Sequence, residues 1–138
     1  MVTLILGKKG SGKTKRLIDL CAKATQESNG NVVFIEKDDT LTYNLSHQTR
    51  LTAADEYGIS GFDSLYGFIA GMCAGNYDIT DVFLDSTLKI GGRDMDELKA
   101  FVEKLGVLSE KAETRIVLTV SANRTEIPGE LSDKVMEL

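Results

Sequence analysis

The stretch Gly7-Lys8-Lys9-Gly10-Ser11-Gly12-Lys13-Thr14 is the most informative part of this 138-residue chain. It fits the pattern G-x-x-x-x-G-K-[ST] and directly follows the apolar run Val2 to Leu6, which has the length of a strand. A triphosphate carries several negative charges, which must be met at close range by many donors with no side chains in the way. The stretch therefore predicts a strand, a phosphate-binding loop and the start of a helix.

Each residue type in this loop has a chemical reason. Glycine at positions 7, 10 and 12 permits backbone conformations that point consecutive N–H groups into one concavity. Lys13 brings a full positive charge to the β- and γ-phosphates, and the Thr14 hydroxyl is placed to bind Mg²⁺. We expect all eight residues to contact the nucleotide, against the simpler interpretation of a glycine-rich turn with incidental lysines.

Length, charge and cysteines narrow the class of protein. A chain of 138 residues is most simply one domain, spanning 1–138. The net charge of -5 disfavours a nucleic acid partner, because the surface would on average repel a phosphodiester backbone. Cys21 and Cys73 form no C-x-x-C pair and lie on predicted apolar helix faces, which indicates core thiols.

No segment of the sequence predicts export or a membrane span. The apolar run at the amino end is only strand length, and no signal-type stretch follows a basic leader. The most apolar segment, Leu65 to Ala74, is too short to cross a bilayer. We therefore expect a cytoplasmic protein with no membrane span.

Strand-like and helix-like patterns alternate along the chain, which predicts an α/β fold. The expected strands are Val2 to Leu6, Val32 to Ile35, Ile79 to Asp85 and Arg115 to Val120, with a short additional one at Thr49 to Ala53 within the irregular residues 37–61. The expected helices run from about Lys13 to Gln26, from Phe62 to Cys73, from the capping pair Asp94 and Glu97 to Glu113, and briefly after Pro128. Such alternation requires crossover connections, and we expect a three-layer α/β/α fold with a mostly parallel sheet.

The second of these helices carries glycines at four-residue spacing, Gly67, Gly71 and Gly75. Glycine lowers helix propensity, so a packing role is the natural reason for it. We expect this smooth stripe to pack closely against the sheet or a neighbouring helix. A membrane dimerisation motif is the alternative.

Asp85 is the second signature of the sequence. It follows the apolar residues Val82-Phe83-Leu84, and a carboxylate at the end of a neighbouring strand is the usual means of holding the Mg²⁺ shell. On its own such an aspartate is more often a turn residue. Together with Lys13 and Thr14 it predicts a site for MgATP.

The segment Val82-Phe83-Leu84-Asp85-Ser86 resembles the Walker B segment of RecA-like ATPases, the ASCE group of the P-loop NTPase superfamily. The resemblance implies that the acid ending the strand after the loop helix, Glu36, polarises the attacking water. A solvated loop acid is the alternative for this residue. Ser86 stands where some relatives have a glutamate, which leaves this role to Glu36, Asp38 or Asp39. The resemblance also implies that Ser121 and Asn123 sense the γ-phosphate.

RecA-like sites are often completed by an arginine from a neighbouring subunit, which leaves open a homo-oligomer or another protein partner. Arg93 and Arg124 are the candidates, with an exposed surface arginine as the simpler interpretation of each. Twitching-motility and secretion ATPases belong to this broad group and are much longer than this chain.

The expected function is a small magnesium-dependent ATP-binding protein with slow ATPase activity. Lys13 and Glu36 are its catalytic candidates, and Thr14 and Asp85 hold the metal. A nucleotide or small-molecule kinase uses the same phosphate cradle but needs a lid with arginines. A regulatory or scaffold module that binds nucleotide without hydrolysis is the other alternative. A GTPase is disfavoured because the sequence has neither N-K-x-D nor D-x-x-G after the Walker B strand.

Overall fold

The sheet of the computed structural model is parallel throughout, and its strands lie in the order β3-β2-β4-β5-β1-β6. The structure describes residues 1–38, 40 and 45–137. In this part the strands are β1 (Val2–Leu6), β2 (Asn31–Glu36), β3 (Thr49–Ala53), β4 (Ile79–Leu84), β5 (Arg115–Val120) and β6 (Val135–Met136). Because all strands run the same way, their carboxyl ends meet at one edge of the sheet, where ligands of α/β proteins bind.

Helices cover both faces of this sheet. They are α1 (Lys13–Glu27), α2 (Phe62–Gly75), α3 (Thr87–Gly91) and α4 (Met95–Ala112), with 3₁₀ helices at Ala54–Tyr57 and Gly129–Lys134. α1 packs on one face, and α2, α3 and α4 contribute to the core on the other. The predicted three-layer α/β/α fold is confirmed.

Strand β2 shows why the predicted strands are apolar throughout. Its side chains alternate between the two faces, so that Phe34 lies in the core under α1 and Ile35 in the opposite core. Both are fully buried. A parallel strand covered on both faces needs an uninterrupted apolar run, and this is what the sequence supplies.

Helix α4 begins as predicted. The Asp94 side chain accepts hydrogen bonds from the backbone N–H groups of Asp96 and Glu97, at 2.9 and 3.1 Å. It thereby satisfies two of the donors that a helix start leaves without partners. The helix ends at Ala112, and Glu113 follows in the left-handed region with φ of 53°.

The sheet is wider than the four strands that the sequence predicts with clear limits. The short strand at Thr49–Ala53 is confirmed as β3. Strand β6, at the other edge, was not predicted because two residues carry no measurable periodicity. The five-residue helix α3 was missed for the same reason, and it lies directly after Asp85.

The interpretation of the glycine stripe is wrong. Gly67, Gly71 and Gly75 are exposed, and a methyl group added to any of them would meet no other heavy atom within 4 Å. The buried face of α2 is instead formed by Phe62, Leu65, Ile69 and Cys73. The spacing identified a helix face correctly but not the side of the helix that packs.

Both cysteines are core thiols, as predicted. Cys21 and Cys73 are free and buried, and burial raises the pKa of each thiol. Within the described ranges, no helix is long and apolar enough to cross a membrane.

Candidate functional site

The loop after β1 has the backbone that its glycines predict. Gly10 and Gly12 adopt left-handed conformations, with φ of 83° and 95°, which residues with a β-carbon rarely adopt. Gly12 immediately precedes α1, so the loop ends at the amino terminus of a helix, which favours anions. Gly7 is different, since it has no positive φ, and its N–H group donates to the Ala122 carbonyl at 3.2 Å. This bond ties the start of the loop to the segment after β5.

Lys13 is held inside the loop. Its residue surface is only 8% exposed, and its ammonium group donates to the Lys8 carbonyl at 3.3 Å. Burial lowers the pKa of Lys13, the nearby Asp85 carboxylate partly opposes this effect, and Lys89 lowers the pKa further. A polyanion in the loop would replace the water that this ammonium group has lost.

Thr14 and Asp85 meet as the sequence predicts. The Thr14 hydroxyl lies 3.2 and 3.1 Å from the two carboxylate oxygens of Asp85. Asp85 directly follows β4 and is buried, and its backbone N–H group donates to the Ile35 carbonyl of the adjacent strand at 2.9 Å. Two residues 71 positions apart thus place three oxygen atoms together at the carboxyl edge of the sheet.

Thr119 is a member of the site that sequence reasoning missed. It lies on β5, is 1% exposed, and its hydroxyl donates a 2.6 Å hydrogen bond to Asp85 Oδ1. The same hydroxyl oxygen accepts a 3.1 Å bond from the Ser86 backbone N–H group. A threonine inside the run Ile116-Val117-Leu118-Thr119-Val120 is the signal that could have identified it, because a buried hydroxyl needs a partner.

Glu36 is buried beside the same site. It is the last residue of β2 and 3% exposed, which contradicts the alternative of a solvated loop acid. Ile35 of β2 pairs with Leu84 of β4. Glu36 and Asp85 are the residues that directly follow this pair on the two adjacent strands. Asp38 is exposed and lies in the next turn, and Asp39 lies outside the described residues.

Two cavities meet at Thr14 and Asp85. The first, of about 230 Å³, is here called the acidic cavity, and the second, of about 270 Å³, the basic cavity. The acidic cavity is lined by Thr14, Glu36, Lys37, Asp38, Thr40, Asp85, Ser86 and Lys89. The basic cavity is lined by Lys9, Gly10, Lys13, Thr14, Asp85, Ser86, Lys89, Arg93, Thr119 and Ser121.

Charge distinguishes the two cavities. Four cationic side chains and one carboxylate line the basic cavity, although the whole chain has a net charge of -5. Three carboxylates and two lysines line the acidic cavity. The basic cavity suits phosphate groups, and the acidic cavity suits a cation or a water molecule that gives up a proton.

The remaining candidates from the sequence separate into two groups. Ser121 and Arg93 line the basic cavity. Asn123 does not, since its side chain accepts hydrogen bonds from Thr125 and Glu126 within its own turn. Arg124 forms an ion pair with Glu137 at 2.7 Å, and the residues lining either cavity do not include it.

Lys89 is the second residue that sequence reasoning missed. It lies on α3 and lines both cavities. Ser86 allows this by taking a left-handed conformation, with φ of 59°, which turns the chain sharply into α3 directly after Asp85. No pattern around a single exposed lysine would have identified it.

The residues of this site fit a magnesium ion that is held mostly by phosphate and water. Mg²⁺ prefers hard oxygen ligands and usually takes one or two from the protein, and Thr14 and Asp85 supply such oxygens. Among the described residues, no group of three or more His, Cys, Asp and Glu side chains is suited to hold a metal by itself. The described residues would therefore supply only part of the coordination of such a metal.

Two larger cavities in the described part of the chain lie elsewhere. One, of about 860 Å³, is lined by Met1, Val2 and residues of α4 and β6. It borders the amino end of β1, at the edge of the sheet opposite the loop. The other, of about 690 Å³, lies between α2 and α4 and is mostly apolar. Neither contains a residue of the predicted site.

Comparison with known proteins does not assign the chain to a group: no protein-family model matches it. No curated protein is similar to it in sequence at a significant level. The functional argument therefore depends on the geometry of the site.

Proposed function

We propose that this protein binds MgATP at the loop after β1 and hydrolyses it slowly, as a small ATPase of RecA-like type. The observation that carries the proposal is the contact of Thr14 with Asp85 at the boundary of a basic and an acidic cavity. A phosphate chain in the basic cavity would end beside the carboxylates of the acidic one. This is the arrangement that transfer of a terminal phosphate to water requires.

The loop supplies the binding energy for the phosphates. Gly10 and Gly12 give the loop its left-handed turns, Gly10 lines the basic cavity, and the lysines Lys9 and Lys13 add charge. The start of α1 contributes the positive end of its dipole.

Thr14 and Asp85 are the residues that would hold magnesium. When bound, the metal neutralises charge on the β- and γ-phosphate oxygens. The Thr14 hydroxyl donates to the Asp85 carboxylate, so the oxygen atoms that would hold the metal already lie next to each other. Thr119 keeps the Asp85 carboxylate in place from the strand behind it.

Glu36 is the proposed base for the hydrolytic step. A water oxygen attacks the γ-phosphorus, and its proton passes to the Glu36 carboxylate. The bond from the γ-phosphorus to the bridging oxygen breaks, and ADP leaves with that bond's electron pair. The products are ADP and inorganic phosphate, and the proton is released to solvent. Burial of Glu36 in the acidic cavity favours hydrolysis over the alternative of a module that only binds nucleotide.

The proposal includes a compartment, the cytoplasm, where ATP and magnesium are supplied together. It also includes the resemblance to RecA-like ATPases, which is supported by Asp85, since this residue follows a buried strand and contacts Thr14 of the loop. Transfer to an acceptor other than water, as in a kinase, is an outcome that the following experiment detects.

The test compares wild type with Glu36→Gln and a matched control, Glu56→Gln. Glu56 is an exposed acid in the 3₁₀ helix after β3 and lines neither cavity. Calorimetry with magnesium and adenylyl imidodiphosphate should show binding by all three proteins. Phosphate release from ATP should be lost only in Glu36→Gln.

Three results would contradict the proposal in different ways. Absence of binding by wild type would remove the nucleotide site. Equal phosphate release by wild type and Glu36→Gln would remove Glu36 from the reaction. Transfer of the γ-phosphate to an added small-molecule acceptor, seen by mass spectrometry, would favour the kinase.

A further inference from the structure

Helix α3 is a rigid support for one exposed cation. Leu88 and Ile90 are each only 5% exposed and lie in the core on either side of Lys89. The Ile90 carbonyl accepts a 2.8 Å hydrogen bond from Gly61, and Gly91 lies so close to Phe62 that a β-carbon there would overlap the ring. The backbone of α3 is thus fixed, and the Lys89 side chain extends from it into solvent.

Arg93 lies just beyond this helix. Gly92, with φ of 114°, ends α3, and Arg93 follows on the way to α4. Its side chain is exposed and lines the basic cavity with Lys9 and Lys13. Lys89 and Arg93 therefore approach the loop from the side opposite α1.

Among the residues that the structure describes, neither Lys89 nor Arg93 forms an ion pair. Both line the same cavity as Lys9 and Lys13. Positive charges gathered around one small cavity repel each other, and a polyanion bound there would relieve this repulsion.

We propose that Lys89 and Arg93 bind the terminal phosphate of the nucleotide. The charges that complete the site then come from α3 and the turn that follows it, within the same chain. The proposal rests on the proposed function, because it assumes that a nucleoside triphosphate occupies the basic cavity. With these two residues in place, hydrolysis would not need an arginine from a second subunit. Arg124 does not take this role, because its guanidinium is bound to Glu137 and to the Ser132 carbonyl.

The position of Lys89 explains why the terminal phosphate is its target. The basic cavity holds the loop and its lysines, and the acidic cavity holds Glu36. Lys89 is the cation common to the two cavities, so it stands where the chain of phosphates ends and the attacking water begins. A charge at this point stabilises the negative charge of the phosphate in transfer.

The experiment separates recognition of the terminal phosphate from general attraction of anions. Lys89→Met and Arg93→Gln are titrated with magnesium and either ADP or adenylyl imidodiphosphate. Matched controls are Lys23→Met on α1 and Arg50→Gln on β3, which are exposed and line neither cavity. We expect each test variant to bind ADP within about twofold of wild type and the triphosphate analogue about tenfold more weakly. The controls should bind both nucleotides as wild type does.

The outcomes distinguish this inference from the proposed function. Equal loss of affinity for ADP and for the analogue, or no loss for either, would overturn the inference while leaving the nucleotide site intact. Failure of wild type to bind either nucleotide would overturn both. Phosphate release per chain that is constant over a wide range of protein concentration would support a site complete in one chain. A steep rise with concentration would overturn it.

Discussion

The hydroxyl of Thr119 donates a 2.6 Å hydrogen bond to the carboxylate of Asp85, from the strand adjacent to the one that Asp85 follows. Strand β5 lies between β4, which Asp85 follows, and β1, which leads into the loop. Thr119 is therefore placed to fix the rotation of the Asp85 carboxylate relative to Thr14. Because its oxygen also accepts from Ser86, one hydroxyl group holds both the carboxylate and the turn that leads to α3.

Replacing Thr119 by valine should lower the stability of the fold and weaken the binding of magnesium at Asp85. Valine keeps the shape and the strand preference of threonine but removes the hydroxyl. We expect a loss of about 1–2 kcal/mol in the free energy of unfolding, because the Ser86 N–H group and Asp85 lose a buried partner. We also expect a higher magnesium concentration for half-maximal binding of adenylyl imidodiphosphate. Urea denaturation and a magnesium titration measure the two effects.

The conservative variant Thr119→Ser is the control for this prediction. It keeps the hydroxyl and should restore the magnesium dependence of wild type, even if it costs some packing. If Thr119→Val needs no more magnesium than Thr119→Ser, Thr119 has a role in folding alone.

Lys13 should matter for binding far more than for folding. Lys13→Met is expected to weaken binding of the triphosphate analogue by about 1.5–3 kcal/mol, or ten- to a hundredfold. Burial already disfavours the charged lysine, so the free energy of unfolding should not fall. Lys15→Met, which removes an exposed lysine that pairs with Asp19, should change neither quantity appreciably. Unchanged affinity of Lys13→Met would exclude the loop from nucleotide binding.

The parts of the site that the sequence predicts are those defined by local pattern. The loop and Asp85 each follow a recognisable strand, and parallel strands bring their carboxyl ends together. Thr119 and Lys89 depend instead on which strands are neighbours and on how the chain turns at Ser86. Strand order is set by packing of the whole sheet, so no short segment encodes it.

The glycines of α2 show a case in which a local sequence pattern leads to a wrong prediction. Their spacing marks one face of a helix, but which face is buried depends on the competing stripe. Leu65 and Ile69 gain much more free energy from burial than glycine does, so their face turns to the core. A pattern of small residues is informative only after the large apolar residues have been placed.

Because the α2 glycines are exposed, replacing them by alanine should stabilise the protein. Gly67→Ala and Gly71→Ala should each raise the free energy of unfolding by about 0.5–1 kcal/mol, because alanine favours the helix and its methyl group meets nothing. Gly91→Ala is the contrasting variant, since its methyl group would overlap the Phe62 ring, which packs on Phe101. It should destabilise the fold. Urea denaturation of the three variants tests the prediction, and destabilisation by Gly71→Ala would show that α2 packs through this stripe.

The two cysteines should be unreactive in the folded protein. Burial covers both thiols and raises the pKa of each, so that the reactive thiolate is scarce at pH 8. We expect iodoacetamide to label neither Cys21 nor Cys73 on the time scale in which it labels an exposed thiol, and to label both in urea. Ala22→Cys is the matched control, because position 22 lies next to Cys21 on α1 but is exposed. Its single added thiol should be alkylated at once in the native state, and mass spectrometry counts the labels. Rapid labelling of Cys21 without urea would mean that α1 separates from the sheet. Because α1 begins with Lys13 and Thr14, the same opening would disturb the proposed nucleotide site.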